Sequence, residues 1–463
     1  MPTIHFIKIK FSPGRISMYK SDSTDRPADF QKDVIKLELS VSRIFHKVLN
    51  KGRLTEIFEK NDFEVLGNLL YKVICRNDDL RDFFLNGLNM TLRDKDSRAR
   101  IIFEFEEEVA DLAALPWEYI LVQANPDKNI DQFYLGADRN KQFDLYRSVG
   151  HEQNPVLSFK SNPVLHLVTV ISNPADKPVD EQLLRKKLEV LRKRFPEDPS
   201  DLSTPVFQDY FLDPDFRTFT ADLRNIVVNL IKGEPYVLHF YGHAKMEDEE
   251  AAIGMVKDNL VDWRNARDFL NLMKDHDFDA PVMIVLQSCE SGQINLDGRG
   301  LAIELAQGGI PAVVAMQNEV TEAVSCEFVE QFYSGILDGY DVARAVTQAR
   351  WYLGCDYRKK GPYQYYNDNS FGTPILFIST TEPLRLIPVD KTVQETQVNR
   401  KFICPSCGTT YDNIRKDTCA RGKCNGKKLV DYETYLKQRE ETGRTETVTA
   451  LNDDMPTAPI STN

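Results

Sequence analysis

The sequence predicts an α/β protein, a mostly parallel sheet flanked by helices, followed by a small metal-bound module. Two observations carry that prediction. From about residue 160, short apolar runs alternate with segments of helical period, the pattern of parallel strands joined by helical crossovers. Towards the C-terminus, Cys404, Cys407, Cys419 and Cys424 cluster in one short segment.

Composition bounds the rest. A chain of 463 residues is too long for one ordinary domain, and its 42% hydrophobic share supports a substantial core. No apolar stretch approaches the ~18 residues of a membrane helix. The start, Met1-Pro2-Thr3-Ile4-His5-Phe6, lacks the charged-then-apolar layout of a secretory signal. A cytoplasmic protein with no membrane partner is the expectation. The formal charge of −12 argues against a nucleic-acid binder as a whole, since phosphate binding needs positive surface. Between Arg400 and Lys428, however, eight basic residues face only Asp412 and Asp417, a local balance of +6.

Along the chain, Ile7, Ile9 and Phe11 alternate with polar residues, then Ile16 and Met18 follow the turn Ser12-Pro13-Gly14, which predicts a hairpin. Helical spacing covers positions near 30 to 50 and 62 to 75. Residues 100 to 106 predict a strand. Val164 to Ile171 is a buried strand that ends at Ser172-Asn173-Pro174, and Leu183 to Phe195 and Phe216 to Ile231 are amphipathic helices. The strand Tyr236 to Tyr241 follows, then a helix expected to carry Trp263, Ala266, Phe269, Leu270 and Met273 on one face. After it come the strand Val282 to Leu286, a short helix at Gly300 to Gln307 and the strand Ala312 to Met316. Helices near 321 to 337 and 341 to 353 come next, the second capped by Asp341, and Pro374 to Ile378 is the last strand of the run.

The strand Tyr236 to Tyr241 ends in Gly242-His243-Ala244, and Val282 to Leu286 ends in Gln287-Ser288-Cys289-Glu290-Ser291-Gly292. In an open α/β sheet the carboxyl ends of neighbouring parallel strands face one crevice. A thiol and an imidazole placed there suit cysteine peptidase chemistry, with His243 taking the proton of Cys289. The backbone amides of Ala244 and Cys289 are the expected oxyanion donors. Gly242, Gln287, Ser288 and Asp297 are the expected substrate contacts. Glu247-Asp248-Glu249-Glu250 reads first as a solvated acidic run; acids lining the pocket would favour Arg or Lys, and specificity stays open. His239, on the parity of Tyr241, reads as a core residue, and Cys75, Cys326 and Cys355 read as buried apolar thiols.

Gln287-Ser288-Cys289 with its histidine 46 positions upstream lies close to the caspase nucleophile signature. The sequence more closely resembles the CHAT family, bacterial caspase-like peptidases related to separase. His239-Phe240-Tyr241-Gly242-His243-Ala244 looks like that family's histidine motif, and Ser288-Cys289-Glu290-Ser291-Gly292 looks like its cysteine motif. Leu115-Pro116-Trp117-Glu118, Leu66-Gly67-Asn68-Leu69-Leu70-Tyr71, Ser172-Asn173-Pro174, and Gly300-Leu301-Ala302 running into Gly308-Gly309-Ile310-Pro311-Ala312 also match. Ser291 stands where the family usually has Thr. The resemblance implies a caspase-like fold, a Cys289 nucleophile and a His243 base. It also implies a prokaryotic setting of regulated proteolysis or antiviral defence, with an activating partner protein or signal.

Cys404-Pro405-Ser406-Cys407 and Cys419-x4-Cys424, 11 residues apart, can offer four thiolates to a structural zinc with no open position. The second pair has four intervening residues rather than two, so the match to a zinc ribbon is imperfect. The expected organisation is an N-terminal non-catalytic half at 1–155, a catalytic half at 156–380, a linker at 381–400, a zinc ribbon at 401–428, and a short helix with a disordered tail at 429–463. The expected function is a cysteine endopeptidase acting on a protein substrate. The rival from another class is a catalytically silent adaptor whose basic zinc ribbon binds nucleic acid or a protein.

Overall fold

The structure, a computed structural model, describes residues 4–20, 26–29, 60–94, 96–138, 140–149, 164–196, 205–247, 250–274, 278–288, 300–318, 320–355, 369–380, 384–387, 401–403, 410–412 and 430–431. Residues 1–388 form one compact unit and residues 389–463 a second.

The first unit opens with β1 (Ile4–Ser12) and β2 (Arg15–Lys20), the expected hairpin, turned at Gly14 with φ of 69°. That left-handed backbone is open to glycine without steric cost. Strict alternation buries Ile7, Ile9 and Phe11 and leaves the intervening lysines at the surface. After β3 (Arg26–Asp29) come α1 (Lys60–Ile74) and α2 (Asp78–Leu92), then β4 (Arg98–Phe105), the short pair β5 (Leu121–Val122) and β6 (Phe133–Tyr134), and β7 (Phe143–Val149).

The chain continues through β8 (Val164–Ile171), α3 (Glu181–Arg194), β9 (Val206–Leu212), α4 (Phe219–Asn225) and β10 (Tyr236–Tyr241). Then follow β11 (Ala244–Glu247), β12 (Glu250–Lys257), β13 (Leu260–Asn265), α5 (Ala266–Lys274) and β14 (Met283–Gln287). The unit closes with α6 (Leu301–Gln307), β15 (Ala312–Met316), α7 (Glu322–Leu337), α8 (Val342–Cys355) and β16 (Pro374–Ile378).

Eleven strands form one sheet in the order β3-β2-β1-β4-β7-β16-β15-β14-β10-β8-β9. Pairing is parallel except at β1–β2, β2–β3 and β15–β16. The α/β fold class expected from the sequence is therefore the one observed. Every residue of β10, β14, β15 and β16 is buried, as parallel strands covered on both faces require. Two helix groups provide the cover. One joins α3, α7 and α8, the other α4, α5 and α6. Alternation on β10 shows that they lie on opposite faces: His239 meets Tyr333 of α7, while its neighbour Phe240 meets Phe269 of α5.

Three expectations are corrected. Trp263 lies on a strand, not a helix; β11, β12 and β13 form an antiparallel sheet of their own, and α5 starts only at Ala266. The helix expected across 216–231 is α for one part and a π turn over Ile226–Ile231. Leu384, Leu386 and Ile387, inside the expected linker, are buried, and Leu384 O accepts from Val342 N at 2.9 Å.

In the second unit β17 (Lys401–Ile403), β18 (Thr410–Asp412) and β19 (Val430–Asp431) pair antiparallel in the order β18-β17-β19. Ile403 faces Thr410. Cys404, Cys407, Cys419 and Cys424 lie outside the described residues.

Candidate active site

Two neighbouring strand ends build the site. β10 and β14 pair in parallel from Val237 opposite Met283 to Tyr241 opposite Gln287, and Gly242 N donates to Gln287 O at 3.4 Å. β8 flanks β10 on its other side, with Tyr241 opposite Ile171 and Ser172 N donating to Tyr241 O at 2.8 Å. The loops that leave β8, β10 and β14 therefore start at one rim. Gly242, His243, Ala244, Gln287 and Ser288 come together there. Cys289 and Asp297 lie outside the described residues.

Gly242 is at this rim for its size. A Cβ at this position would come within 2.8 Å of Ser172 Cβ and 3.0 Å of the Phe240 ring. His243 follows, partly exposed, and its Nε2 stands 3.0 Å from Lys177 O. A carbonyl only accepts, so Nε2 carries the proton and Nδ1 of the neutral ring keeps the lone pair. The His243 backbone is fixed as well: its carbonyl accepts from Gly254 N at 2.9 Å, and Gly254 O accepts from Ser172 Oγ at 2.5 Å. Ala244 faces Ile253 in the next pair of this ladder. Antiparallel alternation makes that pair the non-bonded kind, which turns the Ala244 N–H away from β12.

Beneath the rim lies a polar core. Gln287 is 2% exposed; its Oε1 accepts from His239 Nε2 at 2.9 Å, and its Nε2 donates to Ser325 Oγ at 3.0 Å and Cys326 Sγ at 3.1 Å. The amide thus fastens β14 to β10 and α7. Burial holds His239 neutral, with its pKa pushed down to about 4 against the pull of the Gln287 bond. The same burial pushes the Cys326 thiol up to about 11 and the Cys75 thiol up to about 12. Neither supplies thiolate near neutral pH. Ser288 is buried, and its Oγ has no partner among the described residues.

Sequence reasoning missed the carbonyl that orients His243 and the hairpin that backs it. A signal existed. Asp258 and Asn259 both have positive φ, 51° and 64°, and link Lys257 to its partner Leu260. Two left-handed residues between paired strands make the tight hairpin turn that Asp and Asn tolerate best.

The CHAT-domain family model matches residues 66–366. The chain belongs to the CHAT-domain family. Its matched span includes both strand-end segments, His239 to Ala244 and Ser288 to Gly292. No curated protein matches it. Among solved structures it is similar to the Saccharomyces cerevisiae separase–securin complex, with 12% identity and a TM-score of 0.39, covering 81% of this chain and 30% of that one. It is also similar to the complex of Porphyromonas gingivalis RgpB pro- and mature domains, with 10% identity and a TM-score of 0.35, covering 71% of this chain and 78% of that one. The CHAT chain thus spans under a third of the length of the yeast separase it matches.

Proposed function

We propose that this CHAT protein is a cysteine endopeptidase in which Cys289 is the nucleophile and His243 the base. One observation carries the reading. The imidazole at the end of β10 is held in the tautomer whose Nδ1 can accept a proton, beside the parallel strand whose next residues are Ser288 and Cys289. His243 Nδ1 takes the thiol proton, and the sulfur attacks the substrate carbonyl carbon. The carbonyl oxygen becomes an oxyanion at the Ala244 and Cys289 amides; the outward turn of the Ala244 N–H supports the first of these. The C–N bond then breaks, the amine leaves with the proton from His243, and a thioester remains. Water hydrolyses the thioester with the same ring as base. Gly242, Ser288 and Asp297 are the substrate contacts in this reading, with specificity left open; Gln287, expected among them, is instead buried and bonded at both ends of its amide, a structural residue. Control by a partner protein or signal belongs to the same reading.

The four tail cysteines form, in this reading, a closed tetrahedral zinc site. Their donor set supports it, four thiolates being the ligand set of structural zinc. So does the hairpin of β17 and β18, which brackets Cys404 and Cys407. The local +6 balance leaves nucleic acid as a partner resting on charge alone.

The test is cleavage of a random peptide library by the full chain, read by mass spectrometry. New peptide ends with a shared residue preference, absent with Cys289→Ala and with His243→Ala, are expected. No cleavage of the library or of a general protein mixture contradicts the reading and favours the adaptor.

A further inference from the structure

The imidazole of His243 owes its tautomer to the Lys177 carbonyl, so whatever holds Lys177 holds the base. Lys177 lies in the exposed loop between β8 and α3. Three contacts from the β12–β13 hairpin reach that loop. Ala175 N donates to Asn259 O at 3.0 Å, Val261 N donates to Asp176 Oδ1 at 3.0 Å, and Lys177 Nζ stands 4.9 Å from the centre of the Trp263 ring. The hairpin also grips His243 from behind, through the bond from Gly254 N to His243 O. Trp263 lines the same glycine together with Val261: a Cβ at Gly254 would lie 2.9 Å from Val261 Cγ2, 3.4 Å from His243 O and 3.4 Å from Trp263 Cζ3. An ammonium over the face of an indole is attracted by the ring's quadrupole, and the attraction is strongest for tryptophan.

We infer that Trp263 is a positioning residue for His243: with the hairpin that carries it, it clamps the loop at Lys177 so that the Lys177 carbonyl meets Nε2. This deepens the peptidase reading and rests on it for the catalytic consequence alone. The tautomer it sets is a property of the folded chain whether or not peptides are cut.

The experiment uses the full chain with ¹⁵N-labelled histidine, the His243 ring assigned by its loss in His243→Gln. At alkaline pH, wild type shows the Nε2–H form. Trp263→Ala mixes the two forms, with a several-fold rise in Nδ1–H, and lowers kcat on a cleaved peptide roughly tenfold with KM little changed. Trp263→Phe keeps a ring face and restores both readouts. Asp176→Ala, which leaves the tryptophan in place, reproduces the change, and Asp176→Asn, which keeps an acceptor oxygen, does not; this pair decides the matter if Trp263→Ala fails to fold. A wild-type tautomer in both Trp263→Ala and Asp176→Ala overturns the inference, as does a loss confined to KM. Absence of turnover in wild type sinks the peptidase reading, while the ring signals still decide the clamp.

Discussion

His239 shows how a buried base is kept out of acid–base chemistry. It is fully buried, and its folded pKa of about 4 lies below its ordinary 6.5. The unfolded chain therefore binds the proton first as the medium acidifies. Stability from this site is whole above pH 6.5 and is lost as pH falls from there towards about 4. The loss totals about 3 kcal/mol from the pKa difference. Thermal melts across that window should fall steeply for wild type and less steeply for His239→Gln; parallel curves would contradict the assignment. Gly242 makes a second prediction at this scale. A methyl group there meets Ser172 Cβ at 2.8 Å, so Gly242→Ala must part β10 from the β8 loop. A displacement approaching ~1 Å costs on the order of 10²-fold in kcat, measured on a cleaved peptide, and the overpacking costs about 1 to 3 kcal/mol in the melt.

At the scale of elements, the hydrophobic pattern announced the main strands well. β8, β10, β14, β15 and β16 are continuous apolar runs because helices cover both their faces, and a run of that kind needs no tertiary information to be seen. The Asp341 cap of α8 was readable for the same local reason: its Oδ1 accepts from Arg344 N at 3.0 Å. The β11–β13 sheet was not readable. Its strand β13 is half-exposed and mixed in character, and Trp263, Ala266, Phe269, Leu270 and Met273 carry a helical period across what is a strand–helix junction. The two motif segments showed where His243 and Cys289 sit in the chain, but Lys177 acts through its carbonyl, which no side-chain pattern reveals. The tail module makes the third prediction. One zinc per chain is expected by elemental analysis, and a chelator should abolish the amide protection of residues 401–428 in hydrogen exchange. Unchanged protection without metal would contradict the four-thiolate site.

Across the whole molecule, a buried charge cluster joins strands from both ends of the sequence. Glu118 of the Leu115-Pro116-Trp117-Glu118 segment is fully buried between two arginines. Arg147 Nη2 donates to its Oε2 at 2.5 Å and Arg350 Nη2 to its Oε1 at 3.1 Å, while Gln317 Nε2 reaches Oε2 at 3.2 Å. Burial lowers the pKa of Arg147, and that of Arg350 to about 10, with Glu118 opposing the shift in both. β7, which carries Arg147, is the strand through which the β1–β4 side of the sheet meets β16. Arg350 Nε and Nη2 donate to Pro374 O at the start of β16. Removing the carboxylate that both arginines bond leaves two buried cations with only carbonyl and amide acceptors in hydrogen-bond reach, so Glu118→Gln should cost about 3 to 5 kcal/mol in denaturant unfolding of the first unit. A change near zero would mean that the seam is held by packing alone. The motif was visible in the sequence, but its role was not, because its arginines lie 29 and 232 positions away.

The central claim is that one thiol of eight is made reactive by one imidazole. Timed labelling of the full chain with a peptidyl acyl-type thiol electrophile at neutral pH, mapped by mass spectrometry, tests it directly. The account predicts rapid modification of Cys289, none of Cys75 or Cys326 on that time scale, and loss of the rapid phase in His243→Ala. Slow, even labelling of several cysteines, or an unchanged Cys289 rate in His243→Ala, would contradict it.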